Sequence, residues 1–231
     1  MATNVRQSSS QGAIKSFTVS SAVQNEGKST VSFYLAHASA SLGRRTLLID
    51  ADLRHPTLHR LCNLPNDKGL SDYILGHASL SESLTHLTAD ENLFFMSAGS
   101  VSIDPAKIFS SKKIEAFYQQ IYETFDVIIF DTPPLLGFAD SFMVAKKTQG
   151  LLLTARLGEV QFSQLNEALD KLYTARIPIM GMVANGSDEK DDGSYVYHEY
   201  YKASLKEDDV VVSDLASSSD MSTQNVSTLR E

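Results

Sequence analysis

The sequence contains a single cysteine, Cys62, among its 231 residues. One cysteine excludes an internal disulfide and leaves too few thiols for a structural zinc site built on cysteine. Proteins without disulfides are typical of reducing compartments, so we expect this chain in the cytosol.

Long apolar runs are also missing. No window approaches the roughly 18 apolar residues that a membrane-spanning helix needs, and the residues after Met1 lack the apolar core of a signal peptide. We therefore expect any membrane association to come through a partner or through a segment outside this sequence.

Positive charge is in short supply. The chain has 20 Lys and Arg against 28 Asp and Glu, which gives a formal net charge of -8. This balance removes the sequence-independent attraction for phosphate backbones on which most nucleic-acid binders depend, so we exclude DNA and RNA as main partners. With 42% hydrophobic residues, the chain can still bury the core of one medium-sized domain.

Short apolar runs bounded by turn residues alternate with helical patterns along most of the chain. The runs lack polar alternation, which predicts strands buried on both faces. They lie at 17–19, 46–49, 93–96, 127–130, 151–153 and 179–183, and the main helical patterns lie at 29–42, 112–124 and 161–175. This order predicts an α/β fold, with a mostly parallel twisted sheet, helices on both faces, and ligands at the carboxyl ends of the strands.

Composition divides the chain into four segments. Residues 1–12 and 203–231 have little to bury, which predicts a flexible N-terminal segment and a disordered tail. Residues 13–186 carry the alternating pattern and are predicted to form the folded domain. Residues 187–202 are polar and acidic but contain a cluster of tyrosines. Between 55 and 91 the pattern weakens, which predicts small helices at the rim of the sheet.

A loop with the composition of a phosphate site follows the first predicted strand and opens a helical pattern. Residues 22–30 read Ala-Val-Gln-Asn-Glu-Gly-Lys-Ser-Thr, which in this context is a Walker A loop. In such a loop, backbone N–H groups and a helix amino terminus form a concave anion site. Lys28 is predicted to reach the outer phosphates and Ser29 to ligate magnesium. Asn25 stands where glycine is common, and asparagine tolerates a positive φ better than most residues. The predicted nucleotide-binding residues of the loop are Asn25, Glu26, Gly27, Lys28, Ser29 and Thr30.

Two further predicted strands end in aspartates. Asp50 and Asp52 follow the strand at 46–49, and Asp131 follows the strand at 127–130. Because the carboxyl ends of parallel strands meet at one edge of a sheet, these carboxylates are predicted to lie beside the loop, where oxygen ligands suit nucleotide-bound Mg2+. The ordinary alternative is that each aspartate caps a following helix or turn.

Four of the nine tyrosines lie within seven positions near the carboxyl end. They are Tyr195, Tyr197, Tyr200 and Tyr201. A tyrosine hydroxyl becomes a phosphoryl acceptor when a kinase positions it and takes its proton, and an accessible segment supplies such hydroxyls readily. The alternative is a small aromatic patch for adhesion or for docking a partner.

Together these motifs resemble those of the bacterial tyrosine kinases (BY-kinases), which form the cytoplasmic part of capsule and exopolysaccharide export systems. The resemblance spans about residues 15–202. It rests on the Walker A loop, on residues 50–54 (Asp-Ala-Asp-Leu-Arg) as the family's Walker A′ motif, on residues 130–134 (Phe-Asp-Thr-Pro-Pro) as its Walker B motif, and on the tyrosine cluster. It implies a P-loop NTPase fold and an ATP- and Mg2+-dependent protein-tyrosine kinase. Such a kinase would phosphorylate its own tyrosine cluster, between subunits, and regulate exopolysaccharide synthesis and export.

The resemblance also implies roles for single residues. Lys28 would stabilise the β- and γ-phosphates, and Asp50 is the candidate that activates the tyrosine hydroxyl. The implied magnesium ligands are Ser29, Asp52 and Asp131. Two carboxylates one residue apart can exchange tasks, so the division between the two Walker A′ aspartates stays open. Asn185, at the end of the last predicted strand, stands where related P-loop proteins contact adenine.

Partners follow from the same resemblance. Full-length relatives form homo-oligomers through an upstream helix with an E-x-x-R-x-x-R motif, and they continue into a membrane-spanning activator or bind one. The helix has no counterpart here, which leaves a monomer open for this chain. The expected location is the inner face of the membrane, and a cognate protein-tyrosine phosphatase is a further expected partner. Where some relatives carry a regulatory tyrosine after Walker A′, this chain has Thr57.

Two rival functions are open. A partitioning-type or assembly ATPase of the same fold would hydrolyse ATP without using the tyrosines, but such ATPases carry a signature lysine where this chain has Val23. A degenerate nucleotide-sensing module would find its only support in Asn25. The sequence lacks the dinucleotide-binding G-x-G-x-x-G motif, the G-x-S-x-G nucleophile elbow, and the H-R-D and D-F-G strings of eukaryotic-type kinases.

Overall fold

The computed structural model describes residues 14–87, 91–100 and 104–186. The predicted N-terminal segment at 1–12, the tyrosine segment at 187–202 and the predicted tail at 203–231 lie outside the described residues. None of the four clustered tyrosines therefore has a structural account here.

Strands and helices alternate through the described residues. The strands are β1 (Ser16–Ser21), β2 (Thr46–Asp50), β3 (Thr85–His86), β4 (Leu93–Met96), β5 (Val127–Asp131), β6 (Leu151–Arg156) and β7 (Ile179–Asn185). The helices are α1 (Lys28–Ser41), α2 (Leu58–Leu61), α3 (Leu70–Leu75), α4 (Leu80–Ser83), α5 (Pro105–Phe109), α6 (Lys112–Thr124), α7 (Asp140–Ala145) and α8 (Phe162–Thr174). Within these ranges, no helix combines the length and the hydrophobicity that crossing a membrane requires.

The strands form one seven-stranded sheet in the order β3-β4-β2-β5-β1-β6-β7. The strands from β4 to β7 pair in parallel, and β3 pairs antiparallel with β4. This arrangement confirms the predicted α/β fold with a mostly parallel sheet. The sequence did not indicate β3, because two residues are too few to give a period.

The central strands are buried along their full length, as their unbroken apolar runs predicted. Every residue of β1, β2 and β5 is buried. A long connection carries each parallel strand back to the start of the next, so helices cover the sheet and exclude water from it. The small helices α2, α3 and α4 fall in the stretch where the sequence predicted short helices.

β7 departs from the prediction of burial on both faces. Ile179 is 43% exposed and Met182 is 56% exposed. In the described sheet β7 has one neighbouring strand, β6, whereas β1, β2 and β5 each have two. A continuous apolar run is therefore compatible with an edge position, and the expectation of two covered faces is wrong for this strand.

The carboxyl ends of β1, β2 and β5 form the edge that matters for function. β5 lies between β2 and β1, so the loops that follow these three strands emerge side by side. β1 is followed by the predicted Walker A loop, β2 by the predicted Walker A′ motif and β5 by the predicted Walker B motif. In open α/β sheets, ligands bind outside the carboxyl ends of the strands, which is where these three loops meet.

The largest buried cluster depends on the apolar stripe of α6. Ser111 caps this helix by accepting a hydrogen bond from Ile114 N at 3.3 Å, and the buried positions that follow are spaced three or four residues apart. Phe117 is fully buried on this stripe, and its ring centroid lies 5.4 Å from that of Tyr73. The stripe therefore joins α3 and α6 to the sheet.

Truncating this stripe should destabilise the domain. We expect Phe117→Ala to lower the free energy of unfolding by about 3–5 kcal/mol, because it removes buried apolar surface and leaves a cavity. Phe162→Ala is the matched control, since Phe162 is 78% exposed, and it should change stability by less than about 0.5 kcal/mol. Urea unfolding followed by circular dichroism measures both, and equal midpoints for the two variants would contradict the assignment of this core.

Candidate active site

The loop between β1 and α1 has a backbone that few residues can adopt. Gly27, directly before α1, has φ of 84°, and Asn25 has φ of 64°. A Cβ atom on Gly27 would lie 2.0 Å from Nδ2 of Asn185, so a side chain is excluded there by contact as well as by conformation. Asn25 thus adopts the positive φ that asparagine tolerates better than most residues.

Glu26 holds the loop in shape from within. Its side chain is buried, and its carboxylate accepts hydrogen bonds from Val23 N at 2.7 Å and from Arg156 N at 3.3 Å. The first bond closes the loop on itself and the second ties it to the end of β6. The sequence placed Glu26 among the nucleotide-binding residues but gave no sign of this supporting contact.

The ends of β6 and β7 support the same loop. Asn185 Nδ2 donates to the carbonyl oxygen of Glu26 at 3.1 Å, and Arg156 Nη1 donates to that of Asn25 at 3.5 Å. Asn185, for which the resemblance implied an adenine contact, therefore lies against the phosphate loop. Arg156 was not indicated by any motif, because its contact depends on two strand ends that meet only in the folded sheet.

The sheet register brings two of the predicted carboxylates together. Asp50 ends β2 and Asp131 ends β5, and the two residues are paired across these parallel strands. Both are fully buried, whereas Asp52 is 4% exposed. The strand ends therefore place the Walker A′ and Walker B aspartates beside each other and beside the loop.

Asp50 acts as a cap for the segment that follows it. Its Oδ2 accepts hydrogen bonds from Thr57 N and Leu58 N, each at 3.1 Å, at the start of α2, and its Oδ1 accepts one from Asp52 N at 3.2 Å. The capping alternative from the sequence analysis thus holds for this residue. Both of its oxygens are engaged with the backbone.

Asp52 accepts fewer hydrogen bonds than Asp50. Its Oδ1 accepts a hydrogen bond from His55 N at 3.0 Å, which closes a turn. Burial raises the pKa of this carboxyl, while the His55 N–H and the charge of Lys28 oppose the rise. The positive charge of Lys28 therefore favours the ionised form of Asp52.

Asp131 offers an oxygen with no hydrogen-bond partner. Its Oδ1 accepts a hydrogen bond from Ser32 Oγ at 3.1 Å, but within the described part of the chain no donor reaches its buried Oδ2. Burial raises the pKa of Asp131 to about 6, and the Ser29 hydroxyl, the Lys28 charge and the Ser32 hydroxyl all oppose the rise. A buried carboxylate oxygen that accepts no hydrogen bond has nothing to compensate its negative charge, so a cation bound there would stabilise it.

Ionising both Asp50 and Asp131 in this buried place is energetically unfavourable without a cation. The pKa of Asp50 is raised well above its usual value, first by burial and then by the neighbouring charge of Asp131. Two carboxylates in one buried place disfavour each other's ionisation. A bound cation would relieve this repulsion.

The residues present fit Mg2+ shared with a nucleotide. Among the residues with described positions, no group of three or more His, Cys, Asp or Glu could hold a metal ion alone. Mg2+ ordinarily takes one or two carboxylates, water and substrate phosphates rather than a cage made wholly of protein. The unpartnered Asp131 oxygen, the Ser29 hydroxyl and Asp52 are the oxygen donors that would hold it.

Arg54 fixes the Walker A′ loop to the segment after β5. Its guanidinium binds both carboxylate oxygens of Asp140, with Nε–Oδ2 at 2.6 Å and Nη2–Oδ1 at 3.3 Å, and it lies 4.9 Å above the ring of Phe138. Asp140 is buried, so this pair is better shielded from water than a surface ion pair. No sequence motif pointed to Asp140, which lies 86 residues from its partner.

The structure thus places the predicted residues of the described chain at one edge of the sheet. Those around the edge are Asn25, Glu26, Gly27, Lys28, Ser29, Thr30, Asp50, Asp52, Asp131 and Asn185. The predicted phosphoacceptors at 195–201 lie outside the described residues.

Removing the charge of Asp131 should separate stability from metal binding. We expect Asp131→Asn to raise the melting temperature of the metal-free protein by roughly 2–4 °C, because it removes one of two buried like charges. The same variant should lose the additional thermal stabilisation that Mg2+ gives in the presence of ADP. Asp170→Asn, at an exposed position of α8, is the control and should leave both quantities unchanged. A destabilised Asp131→Asn protein that keeps its response to Mg2+ would contradict this account.

The raised pKa of Asp131 predicts a pH dependence for metal-linked nucleotide binding. Above about pH 6 this carboxyl is ionised and can ligate a cation, and below that value it is protonated. Affinity for ADP in the presence of Mg2+ should therefore fall as the pH drops through this value, by up to about tenfold per pH unit. Fluorescence titration of a labelled ADP over a pH series measures it, with a parallel series in EDTA as control. The same pH dependence in both series would count against the assignment.

Comparison with known families gives a match over most of the chain. A family model described as "ParA: NUBPL iron-transfer P-loop NTPase" matches residues 14–208. This range contains all seven strands and the three motif loops.

Two curated relatives are named tyrosine kinases. Tyrosine-protein kinase YwqD of Bacillus subtilis is 32% identical over 196 residues, which cover 85% of this chain and 82% of YwqD. A putative tyrosine-protein kinase in the cps region of Klebsiella pneumoniae is 30% identical over 177 residues, which cover 77% of this chain and 24% of that longer protein.

Solved structures agree in fold. The kinase domain of VpsO superposes with a TM-score of 0.76 at 26% identity, over 81% of this chain and 92% of that domain. The septum site-determining protein MinD of Pyrococcus horikoshii, complexed with Mg-ADP, shares the fold with a TM-score of 0.64 at 20% identity, over 77% of this chain and 72% of MinD. Because the family model spans the sheet and the three motif loops, and YwqD is 32% identical over 85% of this chain, the chain belongs to the bacterial tyrosine kinases within the ParA family of P-loop NTPases.

Proposed function

We propose that this protein is an ATP- and Mg2+-dependent protein-tyrosine kinase that autophosphorylates its own tyrosine cluster between subunits and so regulates exopolysaccharide synthesis and export. The observation that carries the proposal is the unpartnered, buried Oδ2 of Asp131 at the strand edge that also holds Lys28 and Ser29. The names of the relatives support the choice of a kinase within this family.

The loop residues bind and orient the triphosphate. Backbone N–H groups at the start of α1 and the Lys28 ammonium face developing negative charge on the phosphates, and they are fixed before the reaction begins. Gly27 leaves space for the close approach of the loop to Asn185, and Glu26 holds the loop's shape. Ser29, Asp131 and Asp52 would hold Mg2+, which would neutralise charge on the phosphates.

The choice of base lies between the two Walker A′ aspartates. Asp50 is the family-based candidate, but three backbone N–H groups already occupy its oxygens and it is fully buried. Asp52 is 4% exposed and accepts fewer hydrogen bonds, so it is the second candidate for accepting the proton of the tyrosine hydroxyl. If Asp52 takes this role, Ser29 and Asp131 are left as the protein ligands of Mg2+. Transfer then breaks the bond between the γ-phosphorus and the bridging oxygen, forms the bond to the tyrosine oxygen and releases ADP.

The proposed acceptors are Tyr195, Tyr197, Tyr200 and Tyr201. Tyr195, the first of them, lies ten positions after Asn185, a length that spans up to about 33–36 Å when extended. Chain length thus permits reaction with a neighbouring subunit, and the family resemblance favours that course.

The proposed partners follow from the longer relatives. The Klebsiella pneumoniae protein is matched over 24% of its length, so in that protein a much larger part accompanies the equivalent domain. We propose that this chain works with a transmembrane activator region, in the same protein or in a second one, at the inner face of the membrane. Self-association in the full-length assembly and reversal by a protein-tyrosine phosphatase complete the proposed cycle.

Phosphotyrosine formation tests the proposed function. Purified protein is incubated with Mg-ATP, alone and with the activator region, and then analysed by intact-mass and tandem mass spectrometry. We expect phosphoryl groups on residues 195–201. Lys28→Met should reduce their rate of formation by about 100-fold or more, because it removes a charge that stabilises the transferring group.

Two matched controls sharpen this experiment. Lys146→Met changes an exposed lysine at the end of α7 and should keep full labelling. Replacing all four clustered tyrosines by Phe should abolish labelling, whereas Tyr173→Phe, at a side chain that is 85% exposed, should not. ATP hydrolysis without phosphotyrosine, with the activator supplied, would instead favour an assembly ATPase of the same fold.

A further inference from the structure

The side chain of Thr57 joins the two motif loops of the site. Thr57 lies directly before α2, and its Oγ1 donates a hydrogen bond to Ser29 Oγ at 3.1 Å. Its backbone N–H donates to Asp50 Oδ2 at 3.1 Å. One exposed residue therefore contacts both the Walker A serine and the first Walker A′ aspartate.

The hydroxyl of Thr57 is not used for the task that its position suggests. Thr57 is the N-cap residue of α2, where a threonine side chain ordinarily accepts a hydrogen bond from the first turn of the helix. Here it makes no such bond, and the N–H groups of Thr57 and Leu58 donate to Asp50. The Thr57 hydroxyl therefore bonds to Ser29 and not to the helix.

The contact constrains how the Ser29 hydroxyl can point. A serine hydroxyl has one hydrogen to donate and two lone pairs. The Thr57 hydroxyl occupies one of these lone pairs. The other lone pair is the one left for a cation.

We propose that Thr57 is a positioning residue that orients the Ser29 hydroxyl for the Mg2+ of a bound nucleotide and thereby couples the Walker A′ loop to occupancy of the metal site. The inference rests on the Mg-nucleotide site of the proposed function, but not on transfer to tyrosine. Residues that orient a metal ligand are commonly worth about 10- to 100-fold in metal affinity. A single exposed neutral hydrogen bond belongs at the lower end of that scale or below it.

The test compares Thr57→Val with Thr57→Ser. Valine keeps the shape and the backbone N–H bond to Asp50 but has no hydroxyl, whereas serine keeps the hydroxyl. Binding of a fluorescent ADP analogue is measured at increasing Mg2+ and in EDTA. We expect Thr57→Val to need about 3- to 30-fold more Mg2+ for half-maximal enhancement of binding, with affinity in EDTA unchanged, and Thr57→Ser to behave like wild type.

A second readout follows the coupling itself. Hydrogen exchange of the peptide covering residues 54–61 is compared with and without Mg2+ at saturating ADP. In the wild type and in Thr57→Ser, Mg2+ should slow exchange in this peptide. In Thr57→Val the slowing should be lost even when Mg2+ is raised to compensate for the weaker affinity, because the contact that links Ser29 to the loop is gone.

Thr124→Val is the matched control. Thr124 is also exposed, and its hydroxyl makes one hydrogen bond, to Gln120 O at 2.8 Å, within α6. This variant should match wild type in both readouts. Melting temperatures of all variants, measured without metal, confirm that the compared proteins are folded.

The outcomes separate the two proposals. If Mg2+ fails to strengthen ADP binding in the wild type, the Mg-nucleotide site of the proposed function is overturned, and this inference falls with it. If the wild type responds to Mg2+ and Thr57→Val responds equally, the role of Thr57 alone is overturned. Loss of the response in both Thr57→Val and Thr57→Ser would also overturn it, because the hydroxyl would then not be the group responsible.

Discussion

Two carboxylates buried side by side at neighbouring strand ends impose the constraint around which the active edge is arranged. Asp50 and Asp131 are paired in register and shielded from water, so each disfavours the ionisation of the other. Two features of the surrounding chain offset this repulsion. Backbone N–H groups at the start of α2 surround Asp50, while Asp131 has Lys28 and two serine hydroxyls nearby and keeps one oxygen free. The strain of the metal-free pair thus favours binding of a cation.

The same contacts that stabilise the loops also define their chemistry. Capping a helix and serving a nucleotide site are usually considered alternatives for a strand-end aspartate. Asp50 caps the start of α2, and the same carboxylate accepts hydrogen bonds from Asp52 N and Thr57 N, which holds these two residues at the candidate nucleotide site. The ion pair of Arg54 with Asp140 extends this arrangement to the segment after β5. The Walker A′ loop is therefore held by contacts on both of its sides.

The sequence was sufficient for whatever depends on local pattern and strand order. Apolar runs located the six long strands, and the motif spacing located Lys28, Asp50 and Asp131 at strand ends that the parallel sheet brings together. It failed where a property depends on partners far along the chain. The exposure of β7 follows from its place at the edge of the sheet, and the contact of Thr57 with Ser29 follows from how two loops pack. Neither leaves a period or a motif in the local sequence.

The bonding of Glu26 has a consequence for how the protein is made. Its carboxylate accepts a hydrogen bond from a residue 130 positions later, and its carbonyl accepts one from a residue 159 positions later. During synthesis, the phosphate loop emerges early but lacks these supports until β6 and β7 have left the ribosome. A nascent chain that has folded only its first half therefore presents an unfinished loop. The loop therefore acquires its full set of supporting hydrogen bonds only when the domain is nearly complete.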